Sequence, residues 1–335
     1  MIFDLCAAQG VSGDEASAFA VVKQALAPYA ETYADANNNL YAVFGNRNAQ
    51  KTILLDAHLD RIGLMVTNIN EQGFVKADKC GGIDSRVLQN ACLVAPDGIT
   101  GTVCCLPPHL SDGSEDKATP VSKTWIDFGM SAREIKAHLA VGDVLTFVSQ
   151  PRMLLNNRVT SPALDNRCSV AALIQTAALL HEKELPCKVV LLFSAQEETY
   201  GSGAATGAFR IDADEAVAVD VSFAEQPDIS GQYAKIKLGG GPMIGISPIL
   251  NKAMTDKLKS LCKQNDISCQ LEPIAGRTGT NADKIALTRG GVKTAMVSIP
   301  QRYMHTAAEV VAVDDVEATA RLLAAYLLSG GVSDD

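Results

Sequence analysis

A chain of 335 residues, 47% of them hydrophobic, can bury one large core and a smaller one beside it. A formal net charge of -9 without basic clusters excludes nucleic acid and anionic membrane surfaces as partners. Aromatic residues make up 5%, too few for stacking platforms or sugar-binding grooves. In chain order, Ser12-Gly-Asp-Glu15 has the spacing of a capping box and predicts a helix to about residue 27, before Pro28. Strands are predicted at 40–44 and 52–57. The second has the near-continuous apolar run of a strand buried on both faces, and ends in Asp56, His58 and Asp60 at alternate positions. Extended backbone would put all three on one side.

From about residue 66 to 157 the pattern changes to short alternating strands (62–69, 73–77, 101–106, 124–128, 144–149) separated by Gly, Asp and Pro turns. One brief helix, 131–139, has its own capping box, Ser131 with Glu134. Residues 107–122 read as a polar, mobile loop. The segment 66–157 is therefore expected to be an inserted all-β domain, with 1–65 and 158–335 forming a discontinuous main domain. In the latter, a helix is predicted at 167–182, a buried strand at 187–195, a Gly-Ser-Gly turn at 201–203, and strands at 216–221 and 234–238. Next come a helix opening at Ser247-Pro248, a helix from about 280 to Gly290, and a strand at 293–299. A last helix is capped by Asp314 with Glu317 following. Alternation of this kind predicts an α/β fold with a mixed, mostly parallel sheet flanked by helices.

The cysteines, nine and scattered without a C-x-x-C pair, argue against a thiolate zinc site and fit a reducing compartment. Cys92, Cys104, Cys105 and Cys187 lie in apolar runs and read as small buried hydrophobes. The first residues, Met1 to Cys6, have neither a basic n-region nor a sustained apolar run, and no stretch approaches the ~20 apolar residues of a membrane span. The expected location is the cytoplasm.

In open α/β sheets, functional groups gather beyond the carboxyl ends of the strands. His58, the pair Glu197-Glu198, Asp220 and His305 fall at or after such ends, and Asp165 opens a helix. Taken singly each has a structural explanation: Asp165 is a natural N-cap, a glutamate pair is ordinary surface, and a strand-end histidine needs no ligand. Their shared placement suggests instead an N/O site for two ions, with Asp165 bridging. Two divalent ions bring four positive charges. Asp165, Glu198 and Asp220 supply three negative ones, and a bridging hydroxide completes neutrality. Asp60 is placed to take the other ring N–H of His58, and Glu197 to act as general base. His109, His138 and His181 look ordinary.

Asp56-Ala-His-Leu-Asp60, Ala163-Leu-Asp-Asn-Arg167, Gln196-Glu-Glu198, Val219-Asp220 and Arg302-Tyr-Met-His305 together resemble the tetrahedral aminopeptidases, a family of metallopeptidases that includes glutamyl aminopeptidase-like enzymes; some members once carried an endoglucanase label. Gly81-Gly-Ile-Asp-Ser-Arg86, Pro107-Pro-His-Leu110 and Gly276-Arg-Thr-Gly-Thr-Asn-Ala-Asp283 add to the resemblance, which runs over nearly the whole chain. It implies one metal on His58, Asp165 and Asp220 and a second on Asp165, Glu198 and His305, zinc or cobalt by ligand chemistry. It further implies Glu197 as base, Asp60 behind His58, and a non-proline cis peptide at Asp165-Asn166. The small β domain would serve assembly and access. The whole would be a homo-oligomer, a dodecameric tetrahedron, acting on short peptides with a free N-terminus. Arg61, Thr199, Tyr200 and Thr306 depart from the family pattern and bear on substrate preference.

Other chemistries remain open on the residues alone. A deacylase or carboxypeptidase with a similar metal pair would recognise a substrate carboxylate, for which Arg277 and Arg302 are available. A glycoside hydrolase would need two carboxylates ~5–9.5 Å apart across a sugar and gives the histidines no role. An assembly protein with a dead site would not need intact ligand positions.

Overall fold

The computed structural model describes residues 1–110 and 118–332; the centre of the polar loop expected at 107–122 lies outside them. The main sheet opens with β1 (Glu31–Ala34), β2 (Leu40–Gly45) and β3 (Thr52–His58). A separate group follows: β4 (Gly63–Ile69), β5 (Val75–Cys80), β6 (Cys92–Val94), β7 (Thr100–Val103), β8 (Trp125–Asp127) and β9 (Val144–Phe147). The sheet resumes with β10 (Arg152–Leu154), β11 (Arg158–Ser161), β12 (Lys188–Ser194), β13 (Glu215–Phe223), β14 (Met243–Ile246), β15 (Gln270–Pro273), β16 (Lys293–Arg302) and β17 (Glu309–Ala312). The helices are α1 (Ile2–Ala7), α2 (Phe19–Leu26), α3 (Ser85–Leu88), α4 (Ala132–Ile135), α5 (Leu164–Leu179), α6 (Ser202–Ile211), α7 (Lys252–Gln264), α8 (Ala282–Ile285) and α9 (Val313–Leu328).

The 11-stranded sheet runs β1-β2-β12-β3-β13-β16-β17-β11-β10, with β14 and β15 branching from β16. Its centre, β12-β3-β13-β16, is parallel, and its flanks are antiparallel. Alternation along β3 and β12 explains why both read as unbroken apolar runs. Ile53, Leu55, Val189 and Leu191 face a core shared with α5, α7 and α9, whereas Leu54, Val190 and Leu192 face a second core under α6 and α8. The register pairs Ser194 with His58 and Asp220 with Ser298, so the carboxyl ends of the parallel strands come level. Strands β4 to β9 close into an antiparallel barrel, filled by Leu64, Val75, Leu93, Ile126, Leu145 and Phe147. The Ser131–Glu134 capping box forms as predicted.

Several local expectations fail, each for a visible reason. Residues 234–238 form no strand. A 3-10 turn covers Gly231–Lys235, and Ile236 and Leu238 bury against Met243 and Val310 instead of joining a ladder. Ser247 caps no helix: its hydroxyl donates to Gly276 O, and Asn251 caps α7 by accepting from Met254 N. The helix predicted from residue 280 to Gly290 shrinks to α8: the Asp283 carboxylate takes the amides of Thr278 and Gly279 ahead of it, and after Ile285 the chain goes into turns, with Thr288 N donating to Ile285 O and Gly291 N to Thr288 O. Asp314 accepts from Asn157 rather than capping α9, which already begins at Val313. Cys92 and Cys105 are exposed and Cys104 half-buried: Cys92 points outward from the barrel, and Cys104 and Cys105 follow the end of β7. Cys187 is buried, and all nine cysteines are free.

The Gly-Ser-Gly turn hides the start of α6, which sequence reading missed. Its second glycine is there for packing. A Cβ on Gly203 would lie 2.2 Å from Ala195 O and 2.5 Å from Asn39 Oδ1. Gly203→Ala should therefore lower stability by about 1–3 kcal/mol, read as a lower midpoint in urea unfolding, whereas Gly129→Ala, which meets nothing within 4 Å, should be limited to the smaller cost of its positive φ.

Candidate metal centre

His58 is the last residue of β3, and Leu59 N still donates to Ser194 O of the neighbouring strand. Its Nδ1 lies 3.1 Å from the carbonyl oxygen of Asp60 and 3.4 Å from that residue's Oδ1. A carbonyl only accepts, so Nδ1 carries the proton and Nε2 presents its lone pair to the cluster. The fully buried Asp60 carboxylate has a larger task. It accepts from the backbone N–H of Glu197 at 3.0 Å, of Glu198 at 3.1 Å, and from Ser12 Oγ at 2.5 Å. Glu15 braces the same loop, taking Gly13 N at 2.7 Å and Gln196 N at 3.0 Å. The capping box expected at Ser12–Glu15 does not form because both side chains are engaged in this way. A 3-10 turn, Glu15–Ala18, leads into α2 instead.

Asp165 does not cap α5. Ala163 is left-handed (φ 64°), Asp165 and Asn166 have non-helical angles, and no helical N–H reaches the Asp165 carboxylate. The Asp165-Asn166 peptide is cis. The carboxylate points instead between two imidazoles: Oδ1 is 3.1 Å from His58 Nε2 and Oδ2 is 3.2 Å from His305 Nε2. Asp220 Oδ1 lies 3.6 Å from His58 Nε2, and Glu198 Oε2 lies 3.3 Å from His305 Nε2. Glu197 stands further back, with Oε2 4.0 Å from His58 Nε2. His305 Nδ1 is 3.1 Å from Gly82 O, so this ring too is left with Nε2 facing inward. Every residue singled out at the strand ends thus enters one cluster, apart from Asp56. That carboxylate accepts from Asn281 Nδ2 at 2.9 Å and lies deeper. Burial pushes it up to about 7, against the lowering effect of Ser194 and Asn281.

The cluster divides into two sets that share Asp165: His58, Asp165 and Asp220, and Asp165, Glu198 and His305. Within each, one ligand atom per residue lies within 4.8 Å of the others. Burial, with the charges of Asp220, Glu198 and Asp165 and against that of His58, pushes Glu197 up to about 9. Burial likewise raises Glu198 to about 7, although His305 opposes it. Asp165 goes the other way: burial works to raise it, but contacts from His305 and His58 hold it well below the carboxylate range. For His305, burial is outweighed by Asp165 and Glu198, and the ring rises to about 11. Glu198 Oε1 is buried without a hydrogen-bond partner, and Asp165 Oδ1 has beside it only the His58 ring, 3.1 Å away. Two Nε2 atoms aimed inward, a buried carboxylate oxygen without a partner and crowded negative charge make a donor set that fits divalent metal.

Sequence reading missed three supports. Glu309 opens β17, is 1% exposed, and accepts from His305 N at 2.9 Å and Asp165 N at 3.1 Å. A lone carboxylate heading an apolar strand was the available signal. Arg61 and Arg167 are both fully buried and donate to carbonyls at the end of α1 and beyond: Arg61 Nη1 to Cys6 O, Arg167 Nη1 to Leu5 O and Nη2 to Gln9 O. Arg61, one of the departures from the family pattern, thus belongs to the scaffold rather than to a pocket wall. Tyr200 is exposed beneath the Lys284 ammonium, and Thr306 donates to Tyr303 O.

A largely parallel α/β centre with an imidazole–carboxylate cluster at the strand ends defines the class: a hydrolytic enzyme whose cluster is able to hold metal. Residues 38–322 match the family model for M42 glutamyl aminopeptidases, and the chain belongs to that family. It is 32% identical to the lysyl aminopeptidase of Pyrococcus furiosus over 306 residues, covering 89% of this chain and 86% of that one. Among solved structures it resembles a TET aminopeptidase from Thaumarchaeota archaeon SCGC AB-539-E09 (TM-score 0.92, 27% identity, 99% and 96% of the two chains). It also resembles the TET1 peptidase of Pyrococcus horikoshii, which can assemble into a tetrahedron or a large octahedral shell (TM-score 0.84, 30% identity, 95% and 96%). The chain is accordingly a peptidase of the aminopeptidase type, and no helix among the described residues is long and apolar enough to cross a membrane.

Asp60→Asn tests the brace. An amide offers one acceptor where the carboxylate offers two, so a backbone N–H of the 197–198 loop is left facing an NH2 group. Stability should fall by about 1–3 kcal/mol and metal affinity by about 10–100-fold, measured by urea unfolding of the metal-free protein and by chelator competition.

Proposed function

We propose that this protein is an aminopeptidase dependent on two divalent metal ions per subunit, removing the N-terminal residue from short peptides. The observation that carries the reading is the position of Asp165, which faces two imidazoles with one carboxylate oxygen each and belongs to both ligand sets. His58, Asp165 and Asp220 would hold one ion and Asp165, Glu198 and His305 the other. Zinc or cobalt suits imidazole and carboxylate donors. When bound, such ions supply Lewis acidity towards a scissile carbonyl and lower the pKa of water.

The protein's own part is proton handling and orientation. Glu197 is outside both ligand sets yet is held against the cluster by its backbone bond to Asp60. Its raised proton affinity suits a group that takes a proton from water and returns it to the leaving amine. Asp60 is the supporting residue: its carbonyl fixes His58 and its carboxylate fixes the loop carrying the glutamates. Arg302, which a deacylase or carboxypeptidase would use on a substrate carboxylate, already donates to Glu225 O and Oε1. Arg277 is turned to Asp283. The Arg302 contacts favour a free-amine substrate over a carboxylate-recognising reaction.

We also assign a discontinuous main domain and an inserted domain, with the bounds moved from 66–157 to the barrel strands, Gly63 to Phe147, because β4 starts at Gly63 and β10 belongs to the main sheet; the barrel serves assembly and access in a homo-oligomer, a tetrahedral dodecamer. The free cysteines support a cytoplasmic setting.

Glu197→Gln should keep both metals while kcat falls about 10²–10⁴-fold, measured on aminoacyl reporter substrates alongside metal analysis; full activity in that variant would remove Glu197 as the base. Chelation should abolish hydrolysis, and zinc or cobalt should restore it. Cleavage confined to N-blocked peptides would refute the aminopeptidase reading. Asp165→Ala should lose both ions together, whereas His58→Ala and His305→Ala should each weaken mainly one.

A further inference from the structure

The loop carrying His305 and the turn carrying Asp165 lie far apart in sequence, yet one side chain holds both backbones. Glu309 Oε1 accepts from His305 N at 2.9 Å, and Glu309 Oε2 accepts from Asp165 N at 3.1 Å. Its own position is fixed by the sheet: Glu309 pairs in register with Ser161, the last residue of β11, from which the chain turns towards Asp165. Neither amide has a secondary-structure partner of its own. Asp165 sits in a non-helical turn, and His305, like Tyr303 before it, is in the left-handed region with φ 61° and 57°. A carboxylate with an acceptor on each oxygen is the one side chain of this length that satisfies both.

The two ligand sets do not depend on this clamp equally. His58 is oriented by Asp60 O, and Asp220 Oδ1 accepts from Val221 N at 2.8 Å; neither contact involves Glu309. The first set takes one ligand, the shared Asp165, from a backbone that Glu309 holds, whereas the other takes two, Asp165 and His305. Resting on the two-metal reading above, we propose that Glu309 is a positioning residue that sets the separation of Asp165 and His305, and so selectively governs the affinity of the ion held by Asp165, Glu198 and His305.

Glu309→Gln keeps the length but turns an NH2 group on one of the two amides, releasing one loop. Glu309→Asp keeps the charge but cannot span both, and provides a second variant should the first not fold. The full-length protein, stripped with chelator, would be titrated with zinc and separately with cobalt, following heat and the cobalt absorption bands. The wild type should bind two ions. In either variant one ion should weaken about 10–100-fold and the other by less than about threefold, with one set of cobalt bands altered and the other retained. Unchanged binding of both ions, or equal weakening of both, would overturn the proposal. A wild type that binds fewer than two ions would overturn the two-metal reading and this inference with it, and that failure is recognisable because it precedes any substitution.

Discussion

The structure is organised around like charge gathered out of water. Asp165, Glu197, Glu198 and Asp220 converge with only His58 and His305 among them, at the end of a sheet whose strands are apolar on both faces. Burial and mutual repulsion raise Glu197, Glu198 and Asp220 together. A fold that concentrates charge in this way needs a scaffold to hold it, and the scaffold consists largely of backbone contacts. Carbonyls of Asp60 and Gly82 orient the rings, Asp60 and Glu309 collect amides, and Glu15 ties the glutamate loop to the segment ahead of α2.

Behind the cluster stand Arg61 and Arg167, buried and without a carboxylate within ion-pair distance among the described residues. Burial, with each arginine near the other, lowers Arg167 to about 10. Their guanidinium groups are tied to carbonyls at the end of α1, so the N-terminal helix is fastened to the same layer that carries the site. The positive charge of Arg167 acts on Asp60 and Glu15, and that of Arg61 on Glu309, so the arginines act on the braces.

The architecture was readable wherever one physical rule acted alone. Continuous apolar runs gave β3, β12, β13 and β16, and their carboxyl ends located His58, Asp220 and the glutamate pair. Local rules failed where a distant partner claimed the same side chain. Ser12 and Glu15 have capping-box spacing but answer to Asp60 and Gln196, which lie in other parts of the chain. Asp314 has cap spacing but answers to Asn157. Asp165 taken alone has the placement of a cap, and the neighbouring strand ends were what pointed to a bridging role; its carboxylate faces two rings. Glu309 was invisible because its partners are amides, which carry no sequence signature. The edge strands β1 and β10 and the interior β17 are short and were missed for want of period.

The contact between Gly82 O and His305 Nδ1 gives the β-barrel excursion a role in the chemistry of the sheet. Gly82 follows β5 and is 223 residues from His305, and a Cβ there would come within 2.6 Å of the ring. The barrel is therefore not a detachable module. Cutting it out and rejoining the ends would take away the carbonyl that orients His305 Nδ1 and leave the ring held through Nε2 alone, by Asp165 and Glu198.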